Sequence, residues 1–368
     1  MKTYDTVIVG AGIAGAGLSH NLKQAGYDGR ILVIDKTCPG SASAYGHRNT
    51  FKEVVDEYRL PSSHKFKGLR MGNFDQIFIE LDEPFYFVDY ERACKKLLES
   101  SDADFKVAHA LGIKGRILRT TVGDFRYKHL IDCSGPVSFI RSRLGKKVPS
   151  KFFIGDVKVL ENKVKGHGNY FYFLANDSGF VEDFYPLPDK TIQGDWKITD
   201  NLDFSVITPV PDTYLKRFIA NPVIKKRDYA INPIMPVLPL VHRDIVFLGD
   251  CVGNATSTNG EGLRPVLNNS KMLANALKKN ELGRYQSWWK KKYLNIYLKG
   301  LALKKDHKLR MKLFCLLSKR PDIVRRIIRN EKVKLPAEIR GKLPKYPVLK
   351  QFLHYLRLKA DAAIQELL

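Results

Sequence analysis

The stretch TVIVGAGIAGAGL, Thr6 to Leu18, carries the first decision about the fold. Thr6-Val7-Ile8-Val9 reads as a strand buried on both faces, and glycines follow at positions 10, 12 and 15. From Ala14 to Gln24 the apolar spacing turns helical, Gly26 supplies a stop, and Ile31-Leu32-Val33-Ile34 is a second buried strand. The spacing predicts a strand–helix–strand unit with a glycine loop at its first turn. Each glycine has a physical task there. Gly10 makes the tight turn, Gly12 lets a pyrophosphate approach the backbone, and Gly15 lets helix and strand pack closely. The phosphate would rest on the helix N-terminus, where free N–H groups point outward. Asp35 closes the second strand about 20 residues on, where a carboxylate accepts hydrogen bonds from an adenosine ribose. This predicts dinucleotide binding and leaves nicotinamide and flavin both open.

A second stretch, FLGDCVGNATSTNGEGLRP from Phe247 to Pro265, separates them. An apolar strand ends in Gly249-Asp250, a loop of small residues follows, and Gly260-Glu261-Gly262 opens a helix at Leu263. A simple nicotinamide dehydrogenase needs no such unit. A flavin carries a hydroxylated ribityl chain, which a strand-end carboxylate can bind. Its ring accumulates negative charge at O2 and N1 on reduction, which a helix N-terminus stabilises. Asp250 and the Gly260–Leu263 turn fit those two roles, so FAD is the expected cofactor. Glu261 reads either as functional or as ordinary complementation of the helix dipole. Arg264 reads as reaching solvent or a phosphate. No second glycine fingerprint marks a dedicated NAD(P)H domain.

The predicted fold class is α/β: a Rossmann-like FAD-binding domain with an inserted antiparallel β-rich domain and a helical C-terminal tail. Residues 1–150 and 241–282 form the FAD-binding part, with helix at "DYERACKKLLES" from Asp89 and a third apolar strand at His129–Asp132. Residues 40–85 are loop-rich with short strand candidates such as Gln76–Ile79. Residues 151–240 alternate in aromatic-rich runs and predict a mostly antiparallel substrate domain. Residues 283–368 are helical and basic. There Lys and Arg outnumber Asp and Glu by 23 to 6, so +17 of the net charge of +24 lies in this last part. "PDIVRRIIRN" sets Ile323, Val324, Ile327 and Ile328 against Arg325, Arg326 and Arg329. "PVLKQFLHYLRLKADAAIQELL" repeats the pattern with Leu349, Phe352, Leu353, Leu356, Ile364 and Leu368. Clustered cations on amphipathic helices suit an anionic membrane surface. No nucleic-acid fold is recognisable, so nucleic acid is not an expected partner. No apolar run reaches the ~18 residues of a membrane span. The five cysteines, at 38, 94, 133, 251 and 315, are scattered. They support neither a metal site nor a disulfide framework and suit a reducing cytoplasm, with Cys133 and Cys251 as small core fillers.

Four stretches, in order, resemble the geranylgeranyl reductase family of flavoproteins, within the larger group of aromatic hydroxylases, lycopene cyclases and flavin halogenases. They are VIVGAGIAGAG with VIDK, FYFVDYERACKKLL, HLIDCSGPVSFIRSRLG, and FLGDCVGNATSTNGEGLRPVLNNSKMLANAL. The resemblance spans about residues 1 to 280. It implies FAD contacts from Gly10, Gly12, Ala14, Gly15, Asp35, Lys36, Gly46, Asp250, Gly260, Gly262 and Leu263. Departures are local. The family's Cys-Gly pair is Tyr45-Gly46, its Arg before the F-D pair is Tyr90, and its aromatic substrate motif is FVEDFYP (180–186) without Trp. Tyr45 or His47 reads as a proton donor near the flavin or as a loop residue packing on its ring, and Phe184, Tyr185 and Pro186 read as walls for an apolar substrate or as ordinary sheet core. The implied reaction is saturation of C=C bonds in a geranylgeranyl-type chain of a polyprenyl lipid or diphosphate, an archaeal type of lipid chemistry, with hydride from flavin N5. The electron donor is open between NAD(P)H, ferredoxin and another reductant. Two other readings remain: a hydroxylase- or cyclase-like enzyme on another apolar substrate, and a flavin-bearing membrane-binding protein without turnover. The expected location is cytoplasmic, peripheral to a membrane.

Overall fold

The computed structural model describes residues 1–41, 48–73, 75–161, 168–175, 181–207, 219, 222–256, 260–304, 312–313, 315–329, 331, 333–342 and 345–367. Lys2–Val9 is the central strand of an eight-stranded sheet. Gly123–Asp132 pairs with it in parallel on one side and Ile31–Asp35 on the other. Ile245–Phe247 and Asp104–Val107 extend the parallel array outward on the two sides. These strands are short apolar runs because both their faces are covered. The helix Ile13–Gln24 lies between Tyr90–Glu99 and Leu263–Lys278. Parallel pairing puts the carboxyl ends of all these strands on one edge. Val9, Asp35, Asp132 and Phe247 therefore deliver their following loops to one crevice, the usual place for a ligand in an open α/β sheet.

The second sheet has seven strands in the order Ile224–Pro233, Phe152–Leu160, Thr191–Thr199, Val181–Pro186, Tyr170–Ala175, Gly68–Gly72, Ile77–Leu81. It is antiparallel except where Tyr170–Ala175 runs parallel to Gly68–Gly72. Two of its strands thus come from residues 68–81, which the sequence pattern placed within the first domain. Their partner lies about a hundred residues away, at Tyr170 opposite Gly68. Local propensity does not encode such a pairing. One face of this sheet buries a polar row. Lys158 bonds Asp195 at 2.5 Å, Arg227 grips Asp156 at 2.7 and 2.8 Å, and Gln193 donates to Glu182 at 2.9 Å. Burial raises both Glu182 and Asp195 above the ordinary carboxylate range.

A small sheet of Asn49–Phe51, Phe85–Val88 and Ser62–Phe66 lies beside these two. One continuous apolar core runs through all three sheets and on into the C-terminal helices. The basic region is therefore integral to the fold at its start. In the helix Leu282–Trp289, Tyr285 and Trp289 are fully buried, and Gln286 accepts the backbone N–H groups of Leu240 and Val241. The helices Asn295–Lys304, Pro321–Ile328, Ala337–Lys342 and Lys345–Leu367 follow. Among the described residues no helix is long and apolar enough to cross a membrane. Cys133 and Cys251 are buried and free, and the Cys251 thiol donates to the Asp132 and Leu248 carbonyls.

Candidate functional site

The glycine loop joins Lys2–Val9 to the helix Ile13–Gln24, and its three glycines differ in what surrounds them. Gly10 has φ +109°, and a Cβ there would sit 2.2 Å from the Cys133 carbonyl oxygen. A Cβ on Gly15 would sit 1.9 Å from the Gly10 carbonyl oxygen. Both are packing glycines. Gly12 caps the helix with no side-chain hydrogen bond, and the first turn holds no acid. The nearest atom to a Cβ on Gly12 is the Tyr90 hydroxyl at 3.2 Å. The helix start therefore has no cap from Gly12 itself, and a neighbouring phenol takes its first N–H. Tyr90 Oη accepts the Ile13 N–H at 3.1 Å, and the Arg48 guanidinium lies over the Tyr90 ring at 5.4 Å. Asp35 steadies the loop from below by accepting the Ala11 and Thr37 N–H groups at 2.6 and 3.0 Å. Lys36 is exposed next to it. Arg48 escaped the sequence reading altogether, and Tyr90 entered it only as a departure from a motif. The signal present was Tyr90's position directly after the cap residue Asp89 of the helix Tyr90–Glu99.

The second stretch meets the first in space. A Cβ on Gly249 would lie 2.8 Å from the Ala14 Cβ, so the strand-end turn abuts the glycine-loop helix. Asp250 follows on the 3-10 turn Gly249–Val252. Its carboxylate is half-buried and makes no hydrogen bond or ion pair among the described residues. Burial pushes it up to about 6. Gly260 N donates to the Thr256 carbonyl at 2.9 Å, and Gly262 starts the helix Leu263–Lys278 with no side-chain cap and open space where a Cβ would stand. Leu263 is buried behind it. Glu261 and Arg264 are held by each other, at 2.8 and 3.1 Å. Arg264 is thereby directed over the Phe51 ring, at 4.6 Å, instead of out to solvent. Tyr45, Gly46 and His47 lie outside the described residues.

These residues fit an FAD. Two uncapped helix starts, at Gly12 and Gly262, flank one crevice, and a desolvated carboxylate without a partner stands at Asp250. Such a group is costly to bury unless a ligand supplies its hydrogen bonds. Gly10 to Gly15 would hold the pyrophosphate, Asp35 the adenosine ribose, Asp250 the ribityl hydroxyls, and the Gly262–Leu263 N–H groups the ring.

An apolar cleft adjoins the ring end. Its walls include Phe51, Met71, Phe171 and Tyr185 from the sheets and Val324 and Ile327 from the helix Pro321–Ile328, and Glu261 lines it too. Tyr185 stacks on Phe171 with centroids 5.4 Å apart, and its hydroxyl bonds Asp183 at 3.2 Å. Phe184 faces the other side of the sheet, packed with Leu160, Tyr172 and Leu174. Pro186 shares that side by strand alternation. The sequence motif thus contributes one wall residue of the three expected.

The helix Pro321–Ile328 is held over the cleft by ion pairs. Arg325 bonds Glu83 at 2.6 Å, and Arg329 binds both Glu83 and Glu53, the latter at 2.8 Å. Burial of Glu83 would raise its pKa, but the hydrogen bonds and charges of Arg329 and Arg325 outweigh it and hold the carboxyl below its usual range. A depressed acid stabilises the fold above its unfolded pKa and loses that contribution as pH falls. Glu83→Gln should therefore cost about 1–2 kcal/mol at pH 7, discounted for the partly exposed arginines. In urea denaturation the gap to wild type should close below pH ~4. An unchanged midpoint at pH 7 would mean that these pairs do not hold the helix.

No protein-family model and no curated protein sequence matches the chain. Solved structures do. A geranylgeranyl bacteriochlorophyll reductase-like protein from Thermoplasma acidophilum superposes with a TM-score of 0.73 at 17% identity, covering 99% of this chain and all of that one. A flavin-dependent brominase gives 0.72 at 15% identity over 96% of this chain and 98% of its own. Aklavinone-11 hydroxylase, solved with FAD and aklavinone, gives 0.63 at 15% identity over 82% of this chain and 69% of its own. The parallel sheet and the separate, mostly antiparallel second sheet match the fold of the FAD-dependent oxidoreductases.

Proposed function

We propose that this protein is an FAD-dependent oxidoreductase that saturates C=C bonds of an isoprenoid chain carried by a polyprenyl lipid or diphosphate. The observation that most supports this is the position of Glu261, which lines the apolar cleft and directly precedes the bare helix start fitted to the flavin ring. An extended apolar chain in the cleft would lie with its double bonds beside that ring. FAD, when bound and reduced, supplies hydride from N5. The chain's own residues supply the rest. The aromatic walls exclude water and orient the substrate. Among the described residues two ionisable side chains line the cleft: burial raises Tyr185 well above its ordinary value and keeps the phenol protonated, and burial raises Glu261 against the opposing charge of Arg264. Tyr185 is placed to hold the second hydrogen as a proton, and Glu261, paired with Arg264, lines the same cleft.

The test is anaerobic incubation of the FAD-loaded protein, reduced by dithionite, with geranylgeranyl diphosphate and with a geranylgeranylated glycerophospholipid. The expected product gains one hydrogen pair per bond. Oxygen-dependent NAD(P)H consumption with a hydroxylated product would replace this reading with a monooxygenase. Full flavin occupancy without turnover of either lipid would argue for a flavin-bearing binding protein.

A further inference from the structure

The basic C-terminal region contains two amphipathic helices, and the fold treats them oppositely. In Pro321–Ile328 the residues Ile323, Val324 and Ile328 are buried, and Arg325 and Arg329 are held by Glu83 and Glu53. Its apolar stripe and two of its arginines are thus engaged within the molecule. The helix Lys345–Leu367 docks on Asn295–Lys304 through one face only: Leu358 and Ala362 are buried, and Tyr355 Oη donates to Asn295 Oδ1 at 3.0 Å. At 100° per residue, the opposite side of this helix carries Leu353, Leu356, Ala360 and Ile364. Leu353, Leu356 and Ile364 are 58%, 43% and 53% exposed. Arg357 and Lys359, both exposed, fall on the two edges of that stripe. We propose that this face of Lys345–Leu367 is a docking surface for an anionic lipid bilayer.

Charge decides the occupant. The helix carries four cations against two acids, within a region of net charge +17, and the exposed charges flanking the stripe, Arg357 and Lys359, are both positive; a second copy would set these cations against each other, whereas anionic headgroups complement them. An exposed apolar stripe with cations along both edges is the arrangement of a helix lying in a membrane interface. Its apolar side enters the acyl boundary and its cations stay at headgroup level. The proposal does not depend on the flavin reaction, and its readout involves no turnover.

The test is sedimentation of the full-length protein with phosphatidylglycerol–phosphatidylcholine vesicles and with phosphatidylcholine vesicles alone. Wild type should bind the anionic vesicles and release them as salt shortens the screening length. Leu353→Glu with Ile364→Glu should lower partitioning at least ~tenfold with an unchanged thermal midpoint, because both positions already face water. Arg357→Ala with Lys359→Ala should lower it roughly tenfold while keeping the stripe. Wild-type behaviour of the double glutamate variant would overturn the proposal, as would failure of the wild type to bind anionic vesicles. A wild-type dimer in light scattering that the same variant converts to monomer would also overturn it, by showing the face to be a self-association surface.

Discussion

Gly15→Ala is expected to destabilise the apoprotein, whereas Gly12→Ala is expected to leave it folded but empty of flavin. The two glycines are three residues apart in one loop, yet they differ in what a methyl group would meet. On Gly15 it would lie 1.9 Å from the Gly10 carbonyl oxygen and 3.1 Å from Ile8 Cγ2. Neither can yield without parting the helix Ile13–Gln24 from the strand Lys2–Val9, in a region where Ile8 and Ala16 are fully buried. Overpacking against backbone should cost about 3 kcal/mol or more. On Gly12 the nearest atom is the far end of Tyr90, and the backbone φ of −71° suits any residue. The apoprotein should lose under ~1 kcal/mol. The methyl group would, however, occupy the approach to the uncapped helix start. A loss of about 3 kcal/mol in binding corresponds to roughly a hundredfold rise in flavin Kd. Thermal denaturation of both apoproteins and flavin fluorescence titration read the two effects separately. Retention of flavin by Gly12→Ala at wild-type affinity would remove the phosphate from this loop.

Asp250→Asn should weaken flavin binding about ten- to a hundredfold, the loss expected for a hydrogen bond to a charged group. The same change should stabilise the apoprotein. Burial raises the Asp250 carboxyl from 3.8 to about 6. The folded apoprotein therefore holds this proton more tightly than the unfolded chain does. Its contribution to stability is full below pH ~4 and is lost as pH rises through about 6. By pH 8 the ionised, desolvated carboxylate costs on the order of 3 kcal/mol, which asparagine avoids. Apo Asp250→Asn should thus exceed wild type in urea midpoint at pH 8 and match it near pH 3. Ribityl hydroxyls donate to the ionised form, so wild-type flavin affinity should rise from pH 5 to 7 while that of the variant stays flat. Undiminished flavin content in the variant would refute the ribityl role, and equal apoprotein stabilities at pH 8 would refute the desolvation.

The candidate cofactor site was legible in short stretches. Gly10, Gly12, Gly15, Asp35, Asp250 and Gly262 would act through backbone geometry or a strand-end position, and both are written in local sequence. The expected elements around them appear with small shifts, Thr6–Val9 as Lys2–Val9 and His129–Asp132 as Gly123–Asp132. Arg48 was missed, and Tyr90 was noted only as a departure from a motif, because neither belongs to a periodic pattern. They matter only because the helix Tyr90–Glu99 packs beside Ile13–Gln24 and carries the phenol to the first turn.

The α/β class, the two strand-end carboxylates, the bare helix starts and the basic C-terminal charge were determined by the sequence itself, since each follows from residue type and local spacing. Only the tertiary structure decided the cleft, which gathers Phe51, Met71, Phe171, Tyr185 and Ile327 from five separate segments. Only it set Phe184 on the far side of the sheet, and only it distinguished the two amphipathic helices. The reason is the non-directional character of apolar burial. Periodicity announces that a helix has an apolar face, and in both helices it does so equally well. Whether that face meets the protein's own core, as in Pro321–Ile328, or is left outward, as in Lys345–Leu367, depends on which distant segments reach it first.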